Sequence, residues 1–257
     1  MTWKSSDWHA RFCQQARWTE HIRRHIFNRI KFKPPSKILD VGCGTGALLD
    51  EFNIHPVSRI YAIDIKRDFL VFAKSNNPNR GNFTQADAHF LPYRNQAFDI
   101  TFCHFLLMWV TNPVQVINEM VRVTRPGGAV LALAEPDYGG RIDHPEELTR
   151  MGLWQRKALR HQEADPLMGR KLAGVFSSVA LKDVETGVLG GQWSNTPTRD
   201  DFESEWATLI SDLESLGIDV SSKDIKELKA LDSMSWTLGK RVLYVPTFYA
   251  WGRVRDK

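Results

Sequence analysis

The chain has 257 residues, of which 42% are hydrophobic and 25% charged, with a net charge of +4. This is ordinary globular composition, enough to bury one substantial core, and it excludes a disordered or fibrous chain. Basic and acidic residues are interspersed rather than blocked, so a nucleic-acid partner is possible but not indicated, and no segment is long and apolar enough for a membrane span.

Residues 8 to 30 place Trp8, Phe12, Trp18, Ile22, Ile26 and Ile30 three or four apart, the spacing of one or two amphipathic helices, and "KFKPPSK" then breaks the pattern. From Lys37 onward short apolar runs alternate with helical periodicity. "KILDVG", "RIYAID", "NFTQAD", "FDITFCHFLL" and "GAVLALAE" read as strands, with a helix at "ALLDEF" after the first, and the alternation predicts βαβ units in a parallel sheet. A helical segment is expected from Pro145 to Leu181 with Leu148, Met151 and Ala158 on one face, followed by a strand in "KDVETGVLGGQW". Thr198 and Asp201 form a capping-box-like start before the stripe Phe202, Trp206, Leu209, Ile210, Leu213 and Leu216. A second helix around Ile225 to Met234 leads into "RVLYVPTFYAWGRV", a strand pair or one bent strand.

Cys13, Cys43 and Cys103 are odd in number, far apart and free of any C-x-x-C or Cys/His pairing, which suggests neither a disulfide framework nor a metal site. A reducing, cytoplasmic setting fits. In "ILDVGCGTG", Gly42, Gly44 and Gly46 follow a buried-type strand, so the backbone can turn sharply and a ligand can approach the main chain closely. Gly42, Gly44 and Ala47 also satisfy the relaxed dinucleotide fingerprint, with Asp64 lying 22 residues beyond Gly42, so NAD or FAD is a reading of the turn taken alone. Asp40 at the strand end can organise the turn or face a cationic ligand group, and Asp64 can accept both hydroxyls of a ribose. Asp87 in "QADAHFLPY" can accept from an adenine amino group.

Those segments in that order resemble the class I S-adenosylmethionine-dependent methyltransferases, in particular the small-molecule branch that includes ubiquinone/menaquinone-biosynthesis-type enzymes. "ILDVGCGTG" is similar to the first motif, "AID" to the acidic end of strand two, "QADAHFLPY" to the adenine-contacting segment, and "FDITFCHFLLMWV" to strand four. "INEMVRVTRPGGAVLALAEP" resembles the helix and fifth strand that follow, and "VPTFYAWGRV" the last strand. The resemblance covers roughly residues 36 to 136 and the tail. It implies an α/β, Rossmann-like seven-stranded sheet of order 3-2-1-4-5-7-6, its last strand antiparallel, with helices on both faces. The organisation is then an N-terminal helical lid segment (1–35), a cofactor-binding core (36–140), and a stretch of lid insertions and last strands (141–257). About forty residues of helical pattern precede the last strand, where the family commonly has a short hairpin.

By the same resemblance, Gly42, Cys43, Gly44 and Gly46 wrap the amino-acid part and ribose of S-adenosyl-L-methionine, Asp64 binds the ribose and Ile65 flanks the adenine. Asp87 and Ala88 bind the adenine edge, and Cys103 and His104 lie near the methionine portion. Methyl transfer to an O, N or C atom of a small molecule, leaving S-adenosyl-L-homocysteine, mainly needs alignment and exclusion of water. Where the acceptor must lose a proton, His104 and Glu135 are the candidate bases, with Asp137 beside them. Gln15, Arg17, Trp18 and Tyr138 are candidate lid and substrate contacts, with Gln14 close by. Arg141, Arg150, Arg156, Arg160, His161, Arg170 and Lys171 enrich the later helical segment in positive charge. A non-catalytic cofactor-binding or assembly protein and, more distantly, an RNA methyltransferase are the alternatives. The sequence names no oligomeric state.

Overall fold

The computed structural model describes residues 3–31, 36–49, 58–78, 81–188, 196–217 and 220–256. Five strands, β1 (Lys37–Val41), β2 (Arg59–Asp64), β3 (Asn82–Gln85), β4 (Phe98–Cys103) and β5 (Thr124–Pro136), are laid parallel. Two more, β7 (Leu181–Val188) and β9 (Thr247–Val254), complete a sheet of order β3-β2-β1-β4-β5-β9-β7. Numbered within this sheet alone the order is 3-2-1-4-5-7-6. β9 runs antiparallel to both neighbours, as the resemblance implied. β6 (Ile142–His144) and β8 (Val242–Tyr244) form a separate antiparallel ribbon, so "RVLYVPTFYAWGRV" is two strands in two different sheets rather than a pair.

Central strands read as continuous apolar runs because helices cover both faces. In β1, Ile38, Leu39 and Val41 are all buried, with Asp40 the one charged residue among them. On one face α4 (Pro113–Val123) buries Val116, Ile117, Met120 and Val123, a helical stripe that packs with α6 (Met168–Ser177) against the sheet. Asn112 caps α4 by accepting from the Gln115 amide at 3.0 Å, and Pro113 occupies the first turn, where no amide donor is needed. The other face is covered by α2 (Glu20–Ile30), through Ile22, Ile26 and Ile30, and by α3 (Arg67–Asn76).

α1 (Ser5–Trp18) continues into α2 with only Thr19 between them, so the N-terminal pattern is two helices. The Pro145–Leu181 segment contains α5 (Thr149–His161) and α6. α7 (Arg199–Ser215) and α8 (Ser222–Thr237) then close over α5 around Leu148, Met151, Trp206, Leu209, Leu213 and Leu228. The Thr198 hydroxyl accepts from the Asp201 amide at 3.1 Å, the cap read from the sequence. A buried ionic chain anchors this layer. Arg141 and Arg241 both donate to Asp143, and Arg241 also donates to Asp232, which accepts from the Trp206 indole at 2.9 Å. Of "ALLDEF", residues 47–49 are in turns and a short 3-10 segment, and the remainder lies outside the described residues, as does the end of "KDVETGVLGGQW".

Candidate cofactor and acceptor site

The parallel register aligns the carboxyl ends of the strands: Val41 sits beside Ile63 and Cys103, Asp64 beside Gln85, and Cys103 beside Ala132. The segments after β1, β2, β3, β4 and β5 therefore open on one edge, where ligands of open α/β sheets bind. Gly42, Gly44 and Gly46 all have positive φ (76°, 54° and 79°), a conformation costly for any residue with a Cβ. The Gly42 and Cys43 amides donate to the Ile63 carbonyl at 2.9 and 2.8 Å, fastening the turn to the end of β2.

Asp64 joins the two segments. Its Oδ2 accepts from the Gly44 amide and its Oδ1 from the Lys66 amide, both at 2.8 Å, leaving further lone pairs on each oxygen. Burial raises its pKa against the pull of those amides and of Lys66. Asp40 is 2% exposed, and burial first, then the charge of Asp64, pushes its carboxyl well above the usual range. No hydrogen bond to its carboxylate is present among the described residues. Two carboxylates beneath one turn suit a ligand carrying positive charge, such as a sulfonium with an α-ammonium, better than the pyrophosphate of a dinucleotide.

Ile65, next to Asp64, is 61% exposed, an apolar side chain standing open at the site edge. Asp87 Oδ1 accepts from both the amide and Nδ1 of His89, at 2.9 and 2.7 Å, and those interactions lower its pKa, the backbone bond foremost. Its Oδ2 has no partner among the described residues, while Ala88 is buried in the core. Cys43 and Cys103 are buried thiols raised well above their usual range by desolvation, which suits neither to act as a nucleophile. Arg17 and Trp18 are both exposed, and Arg17 pairs with Asp201 of α7 at 2.6 Å. The Arg11 guanidinium lies over the Trp18 ring, 4.9 Å from its centroid, so Trp18 packs neither in the core nor against the glycine turn. Gln15 is half-buried.

His104 is half-buried and Nε2 lies 2.8 Å from the Thr19 hydroxyl at the α1–α2 joint. Desolvation, reinforced by the Arg23 charge, lowers its pKa well below the usual value, so the ring is neutral. Glu135 departs from the expectation that it serves as a base. It is wholly buried, and Oε1 accepts from the Leu106 and Leu107 amides at 3.0 and 2.7 Å while Oε2 accepts from Met108 at 3.2 Å. It closes the 3-10 turn Leu107–Trp109 after β4, with its pKa raised by burial to about 8. Asp137 is likewise engaged, accepting from Gly139 and Gly140 and pairing with Arg170, so the two acids are not a catalytic pair. Tyr138 is half-buried with Arg11, Glu205, Arg141 and Asp212 acting on its hydroxyl, whose pKa desolvation raises.

Part of the positive segment is paired: Arg141 with Asp143, Arg170 with Asp137 and Lys171 with Asp165, while Arg150 stacks on Trp154. Sequence reasoning missed what α1 does. Phe12 rests against the glycine turn, so that a Cβ on Gly44 would come within 2.9 Å of its ring, and His9 Nδ1 is hydrogen-bonded to the Thr45 hydroxyl at 2.9 Å. Arg11 pairs with Glu205 of α7. Phe12 carried a signal as part of the apolar stripe, whereas Arg11 and Glu205, 194 positions apart, carried none.

Residues 39–132 match the methyltransferase domain family. The chain is 33% identical over 99 residues to a malonyl-[acyl-carrier protein] O-methyltransferase of Hahella chejuensis, covering 38% of this chain and 36% of that protein. A ubiquinone/menaquinone biosynthesis C-methyltransferase of the same organism is 30% identical over 118 residues, covering 43% of this chain and 47% of that one. The chain thus spans about a third to a half of the length of these relatives. The fold matches Haemonchus contortus phosphoethanolamine N-methyltransferase 2, solved with phosphomonomethylethanolamine and S-adenosylhomocysteine. There the TM-score is 0.56 at 12% identity, over 95% of this chain and 57% of that one. Sheet order, glycine turn and domain match agree, and residues 39–132 are similar to a methyltransferase domain in sequence and in fold.

Proposed function

We propose that the protein transfers the methyl group of S-adenosyl-L-methionine to an O, N or C atom of a small molecule, giving S-adenosyl-L-homocysteine. The observation that carries this reading is Asp64, held by the Gly44 and Lys66 amides at the mouth of a glycine turn that Asp40 underlies. When bound, the cofactor supplies a methyl group on an electrophilic sulfonium. The Gly42, Cys43, Gly44 and Gly46 main chain holds its amino-acid part and ribose, and Asp40 lends negative charge below it. Asp64 accepts from the ribose hydroxyls with its remaining lone pairs, Ile65 covers one adenine face, and Asp87 with the Ala88 main chain reads the adenine edge. Cys103 and His104 border the methionine portion.

The acceptor lies between α1, α7 and the end of β5, against Tyr138, with Gln15 and Trp18 on the lid side. Arg17 acts by tying α1 to α7. Residues 1–35 and the helices of 141–257 form the lid of the core at 36–140. With Glu135 consumed by three amides, His104 is the base for an acceptor that must lose a proton. No helix among the described residues is long and apolar enough to cross a membrane. Three free cysteines support a cytoplasmic setting.

Calorimetry tests the cofactor assignment. Asp64→Ala should weaken S-adenosyl-L-methionine binding by about 1 to 3 kcal/mol, the usual loss for a charge-assisted hydrogen bond. Unchanged affinity, or tight binding of NADH instead, would reject it. Labelled cofactor incubated with a metabolite extract then identifies the acceptor.

A further inference from the structure

Thr19 occupies the single residue between α1 and α2, and four polar groups converge on its hydroxyl. Arg23 Nη1 donates to it at 2.5 Å, the Gln15 and Ala16 carbonyls lie at 3.0 and 3.3 Å, and His104 Nε2 lies at 2.8 Å. A hydroxyl has one proton and two lone pairs. The guanidinium has no acceptor, so it must take one lone pair. The Gln15 carbonyl sits in the last turn of α1, and Thr19, the residue that would supply its i+4 amide donor, gives that amide to Ala16 instead, at 3.2 Å. The hydroxyl proton is the donor that satisfies Gln15. One lone pair remains for His104, and to fill it Nε2 must carry the imidazole proton. The opposite nitrogen, Nδ1, then holds a free lone pair. Nδ1 has no protein partner among the described residues, and the ring stands at the carboxyl end of β4, on the edge where the glycine turn opens.

We infer that Thr19 is a positioning residue that locks His104 as the Nε2–H tautomer, presenting Nδ1 as the proton acceptor for the methyl acceptor, and that this lock forms only with the α1–α2 joint docked. The inference rests on the methyl-transfer reading. The proton leaves the acceptor atom for Nδ1, and the imidazolium returns it to water. Among the described residues, Arg23 of α2 is the charged group acting on the ring; from the segment after β4 and from the α1–α2 joint the ring meets Phe105 and Thr19, which are uncharged. Burial, reinforced by Arg23, disfavours the charged ring and so leaves it able to accept. Docking of the helical joint and readiness of the base thereby become one event, and a base exposed by an undocked lid would be in no fixed tautomer.

Long-range ¹H–¹⁵N correlation spectra of the full chain, with His104 assigned by its loss in His104→Gln, report the tautomer without any turnover. The expected result is an Nε2–H form favoured by about tenfold or more, as one hydrogen bond warrants. Thr19→Val should reduce that preference to the modest one of a free neutral imidazole and Thr19→Ser restore it, with S-adenosyl-L-methionine affinity unchanged in both. A predominant Nδ1–H form in the unsubstituted protein overturns the inference, as does a preference undiminished in Thr19→Val. Should Thr19→Val fail to fold, the spectrum of the unsubstituted protein still decides. Loss of cofactor binding by the unsubstituted protein would instead sink the methyl-transfer reading, whatever the tautomer.

Discussion

Replacing Glu135 separates a structural carboxylate from a catalytic one. Its two oxygens accept three backbone amides, those of Leu106, Leu107 and Met108, in a site closed to water. Glu135→Ala orphans all three donors, and each unsatisfied buried group costs about 1 to 3 kcal/mol. Partial relaxation of the turn lowers the sum, so a loss of about 3 to 5 kcal/mol is expected, a large share of a typical domain's stability. Glu135→Gln keeps an oxygen for Leu106 and Leu107 but turns an amide donor toward the Met108 amide, costing about 1 to 3 kcal/mol. pH supplies a second signature. The native pKa of about 8 lies above the ordinary 4.5, so the folded state holds a proton that the unfolded state has lost. Its contribution is fully present below pH 4.5 and fades as pH rises toward 8, with a slope of at most about 1.4 kcal/mol per pH unit. Urea titrations followed by tryptophan fluorescence from pH 5 to 8 measure both effects, and Glu135→Gln should flatten the slope. If Glu135→Ala costs under about 0.5 kcal/mol, or the slope persists in Glu135→Gln, the accounting of this turn is wrong.

Two other perturbations follow from buried charge. Asp143→Ala removes the acid shared by Arg141 and Arg241 while leaving Arg241 its bond to Asp232, so a loss of about 3 kcal/mol is expected in the same urea titration; a change below about 1 kcal/mol would mean that water already screens the chain. Asp40, raised by burial, should ionise when a cationic ligand settles beside it, so binding of S-adenosyl-L-methionine releases a proton. Calorimetry in buffers of different ionisation enthalpy should show that release in the unsubstituted protein and not in Asp40→Asn; buffer-independent heats would refute it.

What the sequence determined about this protein is what lies close along the chain or repeats with a period. Alternating apolar runs defined the parallel strands, the glycines of residues 42–46 marked a turn whose positive φ values only glycine takes easily, and Thr198 announced its helix. The edge on which Asp64 and Asp87 stand was legible because Asp64 ends β2 and Asp87 follows β3 by two residues, and parallel pairing fixes which edge a strand end occupies. Side-chain partnership was not legible, because it depends on long-range packing. Glu135 and His104 looked equivalent as titratable residues following strands. Only the tertiary structure turned one into a cap for three amides and set the other against Thr19, 85 positions away. Arg141, Arg170 and Lys171 likewise looked available until Asp143, Asp137 and Asp165 were brought to them. Periodicity reports which face of an element avoids water. Which polar group meets which is decided only when those faces close, since an ion or hydrogen bond left unpaired in the interior costs more than most local preferences can repay.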